Sequence, residues 1–267
     1  MKRFHCIGWF ALTLCLLLAP MDGYAQELEY TPTSGQAGKD VVWVPTSQDL
    51  VDTMLEMAKV TSSDYVIDLG SGDGRLVITA AQRGATAHGI EYNPDLVALA
   101  RSNAAAAGVT AKATFEKADL FESDFSKANV ITLFLLPSLN LKLRPILLDM
   151  APGTRIVSNT FDMDNWQPDQ TTKLTSGSSS WTTGHLWVVP AKVDGVWKLN
   201  DGQISFTQEF QNITGTLMMG KKDTALTGRL DGNKISFTAG GTEYTGTVSG
   251  NTISGTRSGG GSWKASR

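Results

Sequence analysis

Cysteine is nearly missing from this 267-residue chain: Cys6 and Cys15 are its two copies, and both fall in the first apolar stretch. From Gln26 onward no disulfide and no thiolate site can be built, which excludes a stapled fold and a cysteine nucleophile. Histidine is scarce as well. Of the three, His88 and His185 adjoin apolar strand-like segments where a structural imidazole is expected, so no metal site is expected. Positive charge is not in excess: 23 Lys and Arg against 26 Asp and Glu leave a net charge of -3 and no basic stripe. That balance argues against a nucleic-acid partner, because phosphate binding draws on clustered Lys and Arg. Long apolar runs are absent too, apart from Cys6 to Pro20, which is too short to cross a bilayer comfortably.

That run is preceded by Lys2 and Arg3 and followed by Gly23-Tyr24-Ala25, the pattern of a secretory signal peptide over residues 1–25, cut after Ala25. The less favoured alternative is an uncleaved N-terminal anchor, and the two basic residues would then hold its start inside. Either reading exports the remainder to the periplasm or beyond, with no stable membrane insertion after cleavage.

Residues 26–189 alternate between helical and extended patterns. Gln26 to Asp40 reads as a loose polar arm and Val41 to Thr46 as extended chain before a proline. A helix follows, with Leu50, Val51, Met54, Leu55 and Ala58 at helical spacing. Strands are expected at Val66–Leu69, Ala87–Ile90, Thr114–Lys117 and Arg155–Ser158, and a buried central strand over the seven apolar residues Val130–Leu136. The intervening helices cover Leu76–Arg83, Pro94 to about Gly108, and Leu139–Met150. Such alternation predicts a doubly wound α/β domain around a parallel sheet. Phe161 to Gly184 is polar and Ser/Thr-rich, a loop or connector before the strand His185–Val189.

Residues 190–267 change character, carrying much of the glycine in short alternating strands. Leu226–Ser236 recurs as Tyr244–Ser254, each copy a hairpin turning at Asp231-Gly232-Asn233 or Ser249-Gly250-Asn251. The expectation is a small antiparallel all-β sandwich or partly open barrel around Trp197, Phe206, Phe210, Phe237 and Trp263.

The chemistry concentrates in Asp68-Leu69-Gly70-Ser71-Gly72-Asp73-Gly74-Arg75, an apolar strand that ends in an acid and runs through a glycine-rich turn into a helix. The glycines bring backbone N–H groups close to a ligand, as a cradle for a nucleoside-like cofactor requires. Arg75 stands where the dinucleotide fingerprint G-x-G-x-x-G needs glycine, so a nicotinamide-dependent oxidoreductase is disfavoured. His88-Gly89-Ile90-Glu91 ends the next strand, about 20 residues on, where a carboxylate meets the ribose hydroxyls.

The loop Asp68–Gly74 resembles motif I of class I S-adenosylmethionine-dependent methyltransferases. With Val44-Pro45-Thr46, Gly89-Ile90-Glu91, Leu135-Leu136-Pro137 and Pro152–Ser158, the stretch from about Val44 to Val189 is similar to the Dot1-like and mitochondrial lysine methyltransferase group. The resemblance implies a Rossmann-like sheet and S-adenosyl-L-methionine as cofactor. It implies that Asp68, Gly70, Ser71, Gly72, Asp73 and Gly74 hold the methionine portion, Glu91 the ribose, and Asp119 with Leu120 the adenine. The acceptor side would lie near Phe134, Pro137, Asn159 and Phe161, with a protein lysine or a small amine as methyl acceptor. The chain offers Phe134-Leu135-Leu136-Pro137 where amine-methylating enzymes often carry an Asn-Pro-Pro-Tyr type sequence. A second reading is an exported, non-catalytic binding protein that keeps the fold. Neither reading fixes the oligomeric state.

Overall fold

The computed structural model describes Met1, residues 30–175 and residues 180–267. The signal-peptide reading of residues 1–25 falls, but for Met1, outside the described residues. Pro32–Arg267 forms one compact unit.

Its first part alternates as the sequence pattern demands: α1 Gln48–Met57, β1 Tyr65–Leu69, α2 Arg75–Gln82, β2 Thr86–Glu91, α3 Pro94–Ala106, β3 Ala113–Lys117, β4 Val130–Leu133, α4 Pro137–Leu148, β5 Arg155–Asn159, β6 Gln170–Lys173 and β7 Thr183–Val188. The strands form one sheet in the order β3-β2-β1-β4-β5-β7-β6. The first five are parallel, while β7 runs antiparallel to both β5 and β6. Because the central strands β1, β4 and β5 are buried on both faces, their residues are mostly apolar and two cores result. One joins α1, α2 and α3 to the sheet through Leu50, Met54, Val77 and Ala100; the other joins α4 through Leu143, Leu147, Trp166 and Trp187. Local chemistry sets the boundaries. Asn93 accepts from the Asp95 N–H at 2.9 Å and Pro94 occupies the first turn, so α3 starts there.

Two expectations are corrected. The central strand β4 ends at Leu133, opposite Leu69 of β1 and Ser158 of β5, so Phe134, Leu135 and Leu136 are not sheet residues. Leu136 takes the extended conformation required before Pro137 and is exposed, so the apolar run continues for reasons other than strand burial. Phe161–Gly184 is more than a connector, since it holds β6 and the start of β7. The polar alternation of β6, an edge strand with little burial, hid it from a hydrophobicity reading.

After a linker from Val189, eight strands follow: β8 Gly195–Leu199, β9 Gly202–Glu209, β10 Asn212–Met219, β11 Lys222–Asp231, β12 Lys234–Ala239, β13 Thr242–Ser249, β14 Thr252–Arg257 and β15 Ser262–Ser266. Each pairs antiparallel with the next, and β15 pairs with β8, so the sheet closes into a barrel and has no free edge. The two sequence repeats are the β11–β12 and β13–β14 hairpins. Trp197, Phe206, Phe237 and Trp263 fill the interior, but Phe210 does not. It packs on Trp166 of the α/β domain, with ring centroids 6.0 Å apart.

Candidate cofactor cleft and acceptor entrance

The strand order places β1 between β2 and β4, so the connections leave it in opposite directions and a crevice opens beyond its carboxyl end. The crevice encloses a cavity of about 110 Å³. The Gly70 and Ser71 N–H groups both donate to the Ile90 carbonyl, at 2.8 and 3.1 Å, and clamp the loop to the end of β2. Gly70, Ser71, Gly72 and Asp73 line the cleft. Gly74 serves packing instead. Its φ is +83°, it precedes α2, and a Cβ there would lie 2.7 Å from the Phe115 ring and 2.9 Å from Ala100 Cβ. Gly89 is equally tight, with a Cβ position 2.5 Å from Ser71 Oγ. Together the two glycines let the loop nest on β2 and β3.

Glu91 ends β2 with each carboxylate oxygen already anchored: Oε2 accepts from the Gly72 N–H at 3.0 Å and Oε1 from the Asn93 N–H at 2.8 Å. Each oxygen keeps room for another donor, so two neighbouring hydroxyls suit it. Asp68 is buried, and Thr132 Oγ1 donates to its Oδ1 at 2.7 Å. Burial pushes its carboxyl up to about 7, against the Thr132 bond and helped by the negative Glu91 and Asp73 nearby. A buried acid lining a cleft is the kind of group that can serve as counter-ion to a ligand cation. Asp119 and Leu120 line the far end. Asp119 pairs with Lys39 and accepts from the Phe121 N–H at 2.9 Å, and the Lys39 bond chiefly holds its carboxyl below the usual range.

The segment Ala37–Thr46 lies along the cleft as a strap, so the expectation of a loose arm up to Asp40 is corrected for its last residues. Lys39 reaches Asp119 and sits 4.8 Å above the Tyr92 ring. Trp43 Nε1 comes within 2.6 Å of where a Gly72 Cβ would stand. Arg75 grips Asp73 through Nε, at 3.0 and 3.2 Å, and donates to the Thr46 carbonyl, fastening the strap to the glycine loop. Lys39, Trp43, Arg75 and Tyr92 carried no periodic signal; Trp43 stood inside the apolar Val41–Pro45 segment, which read only as extended chain.

On the acceptor side, Phe134 lines the cleft and also belongs to a three-ring cluster. Its ring lies 6.1 Å from Phe161 and 5.7 Å from Trp181, and Phe161 lies 5.5 Å from Trp181. All three rings are half-buried. Trp181 went unnoticed in the sequence because it stands in a Ser/Thr-rich stretch. Pro137 is exposed at the first turn of α4, away from the cleft lining. Asn159 is fully buried; its Nδ2 donates to Thr46 Oγ1 at 3.1 Å and its Oδ1 accepts from Thr160 Oγ1 at 2.8 Å. It holds the strap from beneath.

Comparison with known proteins places this arrangement. Residues 68–170 match the ANTKMT methyltransferase domain. The chain is 41% identical over 152 residues to a protein-lysine N-methyltransferase of Saccharolobus islandicus, a match covering 56% of this chain and 94% of that protein. It is 37% identical over 130 residues to the adenine nucleotide translocase lysine N-methyltransferase of Mus musculus, covering 48% of this chain and 56% of that one. It thus spans nearly all of the Saccharolobus islandicus relative and little more than half of the mouse one. A solved structure from Salinibacter ruber, described as an RNA methyltransferase in complex with S-adenosyl-L-homocysteine, is 50% identical with a TM-score of 0.53, covering 56% of this chain and 96% of that one.

Proposed function

The chain belongs to the S-adenosylmethionine-dependent methyltransferases, in the family of the protein-lysine N-methyltransferases, and on that premise we propose that it methylates the side-chain amine of a lysine in a protein. The observation that carries the acceptor assignment is Phe134, whose ring is shared by the cofactor cleft and the aromatic cluster. Asp68 takes the ammonium of the methionine portion, the Gly70–Asp73 stretch of the loop cradles it, and Glu91 takes the ribose hydroxyls. Asp119 and Leu120 meet the adenine. Bound S-adenosylmethionine supplies a methyl carbon activated by a positively charged sulfur.

In this reading the protein's task is alignment and dryness. A lysine amine enters beside Phe161 and Trp181 and points past Phe134. Its nitrogen lone pair forms the new bond to the methyl carbon as the carbon–sulfur bond breaks, and the resulting ammonium releases a proton to water. Positive charge moves from sulfur to nitrogen in that step. The ring faces of the cluster stabilise it where it arrives.

Incubating the full chain with methyl-labelled S-adenosylmethionine and periplasmic protein extract tests this directly. Label recovered as methyl-lysine after acid hydrolysis is expected. Label in added RNA instead would favour the chemistry attributed to the Salinibacter ruber relative, which the net charge of -3 argues against. Cofactor binding without any transfer would favour the non-catalytic reading. We propose further that the chain is exported, with residues 1–25 as the signal peptide. Mass spectrometry of the periplasmic protein should then find Gln26 at its N-terminus, and an intact cytoplasmic chain would contradict it.

The Asp68 carboxyl gives a pH test. Its folded value, about 7, is above its ordinary one, so folding favours its protonated form. The associated stability is present below about pH 4 and lost as pH rises through 7. The ammonium-bearing ligand selects the ionised form. Affinity for S-adenosylhomocysteine should therefore rise about tenfold between pH 6 and pH 8 and then level off. Asp68→Asn should bind more weakly and show a flat profile; a sloping one assigns the titration elsewhere.

A further inference from the structure

Inward side chains such as Trp197, Phe206, Phe237 and Trp263 build the barrel's own core. The barrel's significance lies in what one hairpin does to the neighbouring domain. The β9–β10 turn, Phe210 and Gln211, leaves the barrel and inserts into the α/β core beneath the loop joining β5 to β6. Phe210 stacks on Trp166 at an interplanar angle of 15°, and the Arg144 guanidinium of α4 lies 5.6 Å from the same ring. Gln211 Nε2 donates to the Gln167 carbonyl at 2.8 Å, and Arg229 of β11 pairs with Asp169. Trp166, Gln167 and Asp169 all belong to that loop, whose other end carries Phe161.

The loop is fastened from the α4 side as well. Asn140 Nδ2 donates to the Phe161 and Asp162 carbonyls at 3.2 and 3.1 Å, and Arg144 donates to the Met163 carbonyl at 2.9 Å. Backbone strain collects in the same place. Among the described residues, four without glycine's freedom have positive φ: Lys59, Thr160, Asp164 and Phe210. Three of the four lie in the loop or in the inserted turn. Phe210, at φ +53°, holds the first central position of a two-residue hairpin, where glycine is favoured. Such strain persists only where the surroundings over-determine the conformation, and it gathers at sites whose geometry matters.

We propose that the β9–β10 turn of the barrel positions the acceptor entrance: Phe210 and Gln211 fix the β5–β6 loop and thereby the place of Phe161 in the aromatic cluster. This rests on the reading of that cluster as the lysine entrance. The methyltransferase-domain match ends at residue 170, so Phe210 and Gln211 lie beyond it. Phe210 and Gln211 touch no reacting atom; they act through Trp166 and Gln167.

The test compares Phe210→Ala and Phe210→Tyr with the unaltered full chain, using poly-L-lysine as the amine probe. Phe210→Ala should raise the KM for the probe about tenfold, leave S-adenosylhomocysteine affinity within twofold, and speed amide exchange at least tenfold across residues 160–167 but not across 70–74. Phe210→Tyr, which keeps the stacked ring, should restore the KM and the exchange rates and likewise leave cofactor affinity unchanged. If Phe210→Ala lowers the melting temperature too far for assay, Arg229→Gln gives a milder version of the same pattern from the edge of the junction. Unchanged exchange across 160–167 overturns the brace, as does an equal loss of cofactor affinity. Failure of the unaltered enzyme to methylate the probe would count against the lysine reading, and amide exchange would then decide the brace alone.

Discussion

Replacing Glu91 by alanine is expected to weaken S-adenosylhomocysteine binding by roughly 5- to 150-fold, corresponding to about 1–3 kcal/mol. Two effects add. The ribose loses its acceptors for hydrogen bonds to a charged group, which are stronger than neutral ones. The Gly72 and Asn93 N–H groups also lose the oxygens that hold them at 3.0 and 2.8 Å, so the glycine loop loosens on its ligand side. Glu91→Gln separates the two, since its single carbonyl oxygen can serve one N–H but not both; an intermediate loss is expected. Isothermal titration provides the measurement. Unchanged affinity in the alanine variant would remove Glu91 from the site.

Phe161→Ala is expected to cost methyl transfer rather than cofactor binding. Loss of one ring face from a site receiving a cation corresponds to about 0.5–2 kcal/mol, or roughly 2- to 30-fold in kcat/KM for the amine. S-adenosylhomocysteine affinity should stay within twofold, because Phe161 does not line the cofactor cleft. Phe134→Ala should damage both quantities, since its ring belongs to both places. Steady-state kinetics with a lysine peptide, paired with titration, resolves the contrast. A Phe161→Ala enzyme with full activity would take the aromatic cluster out of the reaction.

The α/β architecture was legible because buried parallel strands read as apolar runs and glycine loops have a fixed spacing. Asp68, the loop and Glu91 followed from the same rules. What stayed hidden depended on contacts between distant segments. The strap over the cleft is held by Lys39 to Asp119 and Arg75 to Thr46, pairs that no local pattern couples. Phe134 and Leu135 looked like more strand because cleft walls and sheet interiors both select apolar residues. Asn159 looked like an acceptor ligand at a strand end, yet its amide is turned inward to Thr46. Phe210 was assigned to the barrel core by hydrophobicity alone, and its actual partner, Trp166, is in the other domain. Closure of the barrel depends on the pairing of β15 with β8, the longest-range pairing in that sheet, which no hairpin signal encodes.

The central claim is that the crevice beyond β1 holds a sulfonium nucleoside between the glycine loop and Glu91. Parallel calorimetric titrations of the full chain at pH 8 with S-adenosylhomocysteine and with NAD test it most directly. One saturable site for S-adenosylhomocysteine and no heat from NAD is the predicted result. Binding of NAD alone would contradict it.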